Sequence, residues 1–463
     1  MHSGQTNDIQ NAQNHAKAVI AFQSALRSTP TDFHSWVGLG EAYTSSGKYI
    51  AALKAFQRAA ELDYENWFVK YMIANVHREL GEFHEACSRY REVLEKQPEE
   101  FGVLMALAET LLAMAHNHIE KGYYGQAADA LLESLKTSKE VVALRAEALS
   151  VWKSVGDACL LFSWIQSHCS QLPVDLVKEM ISLDIDKKHL DIMSEYDRVD
   201  STILDCSTDG GAHLQSCLYL GILSYKRALY VSADDRHAHS IAWYNLGCAE
   251  FRAYNCGTAQ KEAHHSSAIR CFKRAIKVEP GNHDFWNALG VVTAGVNPRA
   301  SQHALVRSLY INEKDTKVWT NLGTLYLLQH DVELASEAFT RAQSVDPEYA
   351  YAWIGQGLVS VLGGEFETAQ ELFEHAFEIS DGFTVWISIQ DSCSFVATDP
   401  LLDYFETRIC DVHVRHKNQC SARGIFHFSH WSHICSSKVG AANSKPTSIA
   451  TSQCIVTRAY RRI

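Results

Sequence analysis

The chain has 463 residues, Gly 25 and Pro 8 are both scarce, and hydrophobic residues make up 46% of it. That profile suits a mostly helical chain with a large buried core and excludes collagen, a disordered chain and a small disulfide scaffold. Lys+Arg 42 against Asp+Glu 54 gives a formal net charge of −12, so the bulk basic surface with which a nucleic-acid binder neutralises phosphates is missing.

Residues Met1 to Gln13 are polar and lack the basic start and apolar stretch of a secretory signal, so 1–14 reads as a polar N-terminal segment. Apolar positions then fall at helical spacing in Ala18, Phe22 and Ala25, closed by Pro30. Trp36, Leu39, Gly40 and Tyr43 lead across the turn Gly47-Lys48-Tyr49 into Ala52, Phe56 and Ala59. Ile73 and Ala74 lead in the same way into Gly81, Phe83, Ala86, Tyr90, Val93 and Pro98. A further pair opens at Phe101 with Leu104, Leu107, Ala108 and Leu111, but its second helix resumes only at Ala127 and Leu131, about seven residues late. Glu109 interrupts this apolar stretch, and no run reaches the roughly 18 residues a bilayer span needs.

Trp152, Val155 and Gly156 open another first helix, whose partner, around Tyr225 to Ala228, arrives only after an acidic insertion at 167–213. Trp243, Leu246 and Gly247 precede Ala268, Phe272, Ala275 and Pro280, with roughly nine extra residues between the helices. Trp286, Leu289 and Gly290 begin a degenerate copy with a second helix near Ser301 to Tyr310. Trp319, Leu322, Gly323 and Tyr326 precede Ala335, Phe339, Ala342 and Pro347, and Trp353 and Gly357 precede Gly364, Phe366, Ala369, Phe373 and Ala376. A degenerate helical end follows at 383–409. In 410–463 eight Lys/Arg face the single acid Asp411, a local charge of +7 that leaves −19 on the rest. That Ser/His/Cys-rich tail has no helical periodicity and is expected to be disordered.

Trp286, Trp319 and Trp353 are spaced by 33 and 34 residues, close to the 34-residue period of the tetratricopeptide repeat, whose Trp-x2-Leu-Gly-x2-Tyr helix packs on one carrying Ala-x3-Phe-x2-Ala. The expected fold is all-α: a right-handed solenoid of antiparallel helix pairs, with repeats over 15–166 and 214–382. Trp and Leu should fill the core between helices, Gly and Ala should permit close backbone approach, and Pro should stop the second helix. Stepping back one period from Trp36 reaches His2 with no Leu-Gly pair after it. The chain is therefore expected to begin inside a repeat and to be a fragment or truncated form of a longer solenoid.

The first helices of such a solenoid line a concave groove. In the later repeats its lining as a whole is mostly apolar and aromatic with few charges and is expected to include Tyr244, Asp284, Asn287, Lys317, Thr320, Tyr351 and Ile354; such a lining suits a protein helix or an extended segment. Asn245 and Asn321 stand where a clamp for a terminal carboxylate places asparagines. Asp284, Ala288, Tyr351 and Gly355 stand where its cations belong, so that ligand is not expected.

There is no GxxxxGK[ST], GxSxG or HExxH motif, and no GxGxxG after a strand; no catalytic residues, metal or cofactor are expected. The scattered cysteines, Cys87, Cys159, Cys248 and Cys271 among them, read as reduced apolar side chains. Cys410, His413, His416 and Cys420 have zinc-like spacing but no finger order, so no site is expected there.

The phrases Trp152-Lys-Ser-Val-Gly-Asp-Ala-Cys159, Trp243-Tyr-Asn-Leu-Gly247, Asn282-His-Asp-Phe-Trp-Asn-Ala-Leu-Gly-Val-Val292, Trp319-Thr-Asn-Leu-Gly-Thr-Leu-Tyr326 and Trp353-Ile-Gly-Gln-Gly357 follow one another. In this order they resemble the repeat-scaffold family of the superkiller (Ski) complex, over roughly residues 15 to 382. The resemblance implies a non-catalytic scaffold that joins a DExH RNA helicase and WD40 subunits into an assembly feeding mRNA, 3′ end first, to the RNA exosome. It also implies a location in the cytoplasm, with the nucleus as a second compartment, and no direct contact with nucleic acid or membrane. Family members are far longer, and the tail after about Cys410 matches nothing in them. The alternative reading is a generic repeat adaptor that binds peptide segments in chaperone, trafficking or assembly complexes.

Overall fold

The computed structural model describes residues 2–182, 212–257 and 260–379, which form α-helices, one 3-10 helix and turns, with no strand among the described residues. They fall into two compact units that part between Asp235 and Arg236. The first unit holds α1 (His2–Ser28), α2 (Phe33–Ser45), α3 (Tyr49–Leu62), α4 (Trp67–Glu79), α5 (Phe83–Lys96), α6 (Phe101–Glu120), α7 (Tyr124–Leu144) and α8 (Leu149–Trp164). A 3-10 helix (Gln166–Gln171), α9 (Val174–Ser182) and α10 (Ala212–Val231) complete it. The second holds α11 (Arg236–Asn255), α12 (Lys261–Val278), α13 (His283–Thr293), α14 (Pro298–Ile311), α15 (Thr316–Leu328), α16 (Val332–Val345), α17 (Ala350–Leu362) and α18 (Phe366–Ile379).

Each regular repeat is a first helix of 13 residues and a second of 14, as in α2 with α3, α4 with α5, α15 with α16 and α17 with α18. Helix starts are fixed by side chains that take up otherwise unbonded backbone N–H groups: Asp32 accepts from Ser35 N, Asn66 from Phe68 N and Asp315 from Lys317 N and Val318 N. Between the two helices the chain turns through a left-handed residue, Gly47 (φ 69°) or Gly81 (φ 78°), which ends the first helix sharply. The second helix then lays its small residues and one aromatic ring against the first: Ala52, Phe56 and Ala59 are fully buried, as are Ala335, Ala342 and, but for 1%, Phe339.

The glycine of the first helix has a measurable reason. A Cβ on Gly323 would stand 2.8 Å from Cε1 of Phe339, inside contact distance. Gly355, on the next first helix, meets the same ring still more closely, so Phe339 is keyed between two glycines of successive repeats.

Two expectations change. The polar segment 1–14 is not separate, since α1 runs back to His2; Met1 to Gln13 contains no proline to stop a helix already nucleated at Ala18 to Ala25. Four of the repeat tryptophans also border the core rather than fill it, Trp36, Trp319 and Trp353 packing against its edge. Trp36, Trp286, Trp319 and Trp353 are half-buried, and each indole Nε1 donates to the carbonyl six residues earlier: Pro30 (2.8 Å), Pro280 (3.0 Å), Glu313 (2.9 Å) and Pro347 (2.8 Å). The ring ties its helix to the preceding turn, which suits an amphipathic side chain. Trp152 makes the same bond to Ala146 O at 2.7 Å while fully buried, whereas buried Trp243 donates to His239 Nε2 at 3.0 Å.

Extra residues inside repeats go largely into longer helices. The seven late residues after Phe101 stretch α6 to 20 and α7 to 21 residues. Those after Trp243 stretch α11 to 20 and α12 to 18. The longest interruption leaves its helix pair intact, because α8 packs on α10 with Gly156 against the Tyr225 ring, the relation Gly40 has with Phe56. Tyr225 also donates its hydroxyl to Asp157 Oδ1. The front of the insertion is packed: Arg227 Nη1 donates to Ile181 O at 2.7 Å and its guanidinium lies 4.2 Å over the Trp152 ring. The remaining insertion up to residue 211, the end at 383–409 and the basic tail with its Cys and His cluster lie outside the described residues.

Candidate protein-binding face

In the second unit the first helices α11, α13, α15 and α17 succeed one another, each pair of neighbours in contact or hydrogen-bonded. Of the side chains expected to line their common face, Asp284 and Lys317 are exposed, and Tyr244, Asn287 and Tyr351 are half-buried. Thr320 and Ile354 correct the expectation: they are 3% and 4% exposed. Thr320 Oγ1 donates to Thr316 O at 2.9 Å, and Ile354 packs with Val361, Ala369 and Phe373. The packing of α17 on α18 covers Ile354.

Tyr244 is held by aromatic packing, its ring 5.3 Å from Phe285 and 5.8 Å from Phe272. The Cys248 thiol beside it, together with burial, pushes its hydroxyl above the ordinary phenol range. Tyr351 stands 5.5 Å from Tyr349, whose hydroxyl is likewise raised, chiefly by burial and then by Tyr351 and Asp315. Tyr244 and Tyr349 therefore offer neutral contact surface rather than acids or bases at physiological pH.

In the sequence Asn321 stands out only as a position of the carboxylate clamp. The structure joins it to Asn287: Asn321 Nδ2 donates to Asn287 Oδ1 at 2.9 Å, bridging α13 and α15. Asn321 is 1% exposed and its Oδ1 is buried without a hydrogen-bond partner. A second grouping escaped the sequence altogether, with His283 Nδ1 3.0 Å from Asp315 Oδ2 and 3.6 Å from Asp284 Oδ1. These three residues set their ligand atoms within 4.8 Å of one another. Asp315 already caps α15, and the positive ends of α13 and α15 at this point disfavour a cation. A His–Asp contact between adjacent repeats accounts for the arrangement.

The comparisons with known proteins agree with this architecture. The family description "Tetratricopeptide repeat" matches residues 10–65, 71–113 and 320–381. Superkiller protein 3 of Schizosaccharomyces pombe is 38% identical over 373 residues, 80% of this chain and 27% of that protein. Tetratricopeptide repeat protein 37 of Xenopus laevis is 32% identical over 394 residues, 81% of this chain and 23% of that one. Superkiller complex protein 3 of Homo sapiens is 30% identical over 397 residues, 82% and 24% respectively. The chain thus spans about a quarter of the length of these curated relatives. Helix pairs keyed by glycine and aromatic rings, a repeat description matched in three stretches and this long similarity make the chain an all-α tetratricopeptide-repeat protein of superkiller protein 3 and tetratricopeptide repeat protein 37 type.

Proposed function

We propose that this chain is a non-catalytic scaffold segment of a superkiller-type complex, acting by protein binding in 3′-to-5′ mRNA decay with the cytoplasmic RNA exosome. The observation that carries the reading is the similarity to superkiller protein 3 along four-fifths of the chain. In this reading a DExH RNA helicase and WD40 subunits are the partners and hold the ATP and RNA chemistry. The repeat body, formally −19 without its basic end, contributes surfaces rather than phosphate contacts. The proposed location is the cytoplasm, with the nucleus as a second compartment.

Affinity purification of the tagged chain from its own cells, followed by mass spectrometry, tests this. Helicase, WD40 and exosome subunits should be enriched above a control repeat protein. Their absence, with chaperones or trafficking factors in their place, would establish the generic adaptor instead.

A further inference from the structure

Resting on the reading of this chain as a protein-binding scaffold, we propose that the outer face of the second helices α12 and α14 is a docking surface for an acidic segment of a partner protein. The side of α14 packed on α13 is formed by Ser301, Ala304, Leu305, Ser308 and Leu309, all buried. Opposite it Arg299, His303, Val306 and Tyr310 recur at spacings of 4, 3 and 4 residues, one stripe along the helix, and all four are exposed. Val306 is 49% and Tyr310 63% exposed, large apolar surface left open beside the guanidinium groups of Arg299 and Arg307.

The preceding second helix extends this face. Phe272 lies against Gly247 as Leu305 lies against Gly290, so Lys273 and Lys277 hold on α12 the places of Val306 and Tyr310 on α14, and both are exposed. α12 carries five Lys and Arg against one acid, and α14 two against none. Lys273, Lys277 and Arg299 make no ion pair to a described residue, and Arg307 rests its guanidinium 5.0 Å from the Tyr310 ring centroid. Over residues 15 to 382, whose formal charge is −15, these two helices concentrate cations with no acid to neutralise them, and such a patch draws an acidic partner. Arg and Tyr are also the side chains enriched where interfaces hold most of their binding energy.

The neighbouring repeats decide which acidic partner fits. Beyond α14 the second helices reverse sign: α16 has one cation against two acids and α18 none against four. A nucleic acid strand continuing over this face would meet those acids, and one side of the Tyr310 ring, on which a base could stack, is taken by Arg307. A short protein segment meets neither obstacle. From Arg299 to Tyr310 the stripe is about 17 Å long, which matches about three turns of a partner helix or about five extended residues. The segment therefore concentrates its Asp and Glu within that length and sets an apolar side chain over Val306 and Tyr310.

The test uses the full chain and a pool of synthetic peptides of about 12 residues, long enough for either conformation, with Asp and Glu fixed around one Leu or Phe. A second pool has Lys in place of the acids. Acidic members should bind and lysine members should not. Arg299→Glu with Arg307→Glu should weaken the best acidic peptide about tenfold or more and favour its lysine counterpart, because each contact turns from attraction to repulsion. Lys273→Glu with Lys277→Glu should act the same way, and serves should the first variant not fold. Tyr310→Ser should weaken the same peptide and leave a version lacking its Leu or Phe unaffected. No binding by any acidic member, unchanged binding to these variants, or tighter binding of a single-stranded RNA oligonucleotide that the charge variants abolish would overturn the proposal. Capture of helicase and WD40 subunits by the unaltered chain, run alongside, tests the scaffold reading separately, so failed peptide binding with capture intact counts against this face alone.

Discussion

At the scale of single residues the close contacts are the most sensitive points. Gly323→Leu places a branched side chain where a Cβ alone would already sit 2.8 Å from the Phe339 ring. The second helix must move away, and overpacking of this kind costs about 1–3 kcal/mol. A fall in melting temperature of several degrees, read by circular dichroism, is the expected outcome; an unchanged value would show that ring and glycine are not in contact. The buried thiols give a second residue-scale test. Burial pushes Cys159 up to about 12 and Cys87, where burial outweighs the Arg91 charge, to about 11. Thiolate is the reactive form, so at pH 8 iodoacetamide should modify half-buried Cys248 and Cys256 well before Cys87 and Cys159, as mapped by peptide mass spectrometry. Equal labelling of all four in the folded chain would contradict the burial described.

At the scale of elements, the pairing of α8 with α10 joins the two helices of a repeat across the longest interruption, because the whole insertion separates them in sequence. Gly156 and Tyr225 make the contact that Gly40 and Phe56 make in an uninterrupted repeat. The bond from Tyr225 to Asp157 adds a polar tie at the same place. Tyr225→Ala should therefore destabilise the first unit by about 3–5 kcal/mol, as loss of a buried ring does. Tyr225→Phe, which keeps the ring and drops only the hydroxyl, should cost about 1 kcal/mol. Urea unfolding separates the two, and hydrogen exchange of α8 and α10 should rise together in the alanine variant. If α10 alone loosened, the two helices would not form one cooperative pair.

At the scale of the whole molecule, charge decides what the repeats can hold. With a formal charge of −15, residues 15 to 382 should bind RNA weakly and should not hydrolyse ATP, since no phosphate loop is present in the sequence. Fluorescence anisotropy with a single-stranded oligonucleotide at physiological salt checks the first expectation, and submicromolar affinity would refute it. A phosphate-release assay checks the second.

Much of the architecture was legible because each repeat position has one local physical task. A helix of 13 residues needs a cap, an apolar stripe, a glycine and a stopping turn, and Asp315, Leu322, Gly323 and the turn after Leu328 supply them within a short stretch of chain. Spacing therefore determined the helix pairs, their register and the resemblance that follows from their order. What it did not determine were relations set between elements. The half-buried tryptophans bonded to carbonyls six residues back, the Phe339 ring held by glycines of two repeats, and the covering of Thr320 and Ile354 all depend on how closely neighbouring helices stack. The same holds for the bond between Asn287 and Asn321, 34 residues apart: their side-chain types were visible in the sequence, but only the packing of α13 beside α15 brings one amide onto the other and leaves an acceptor over.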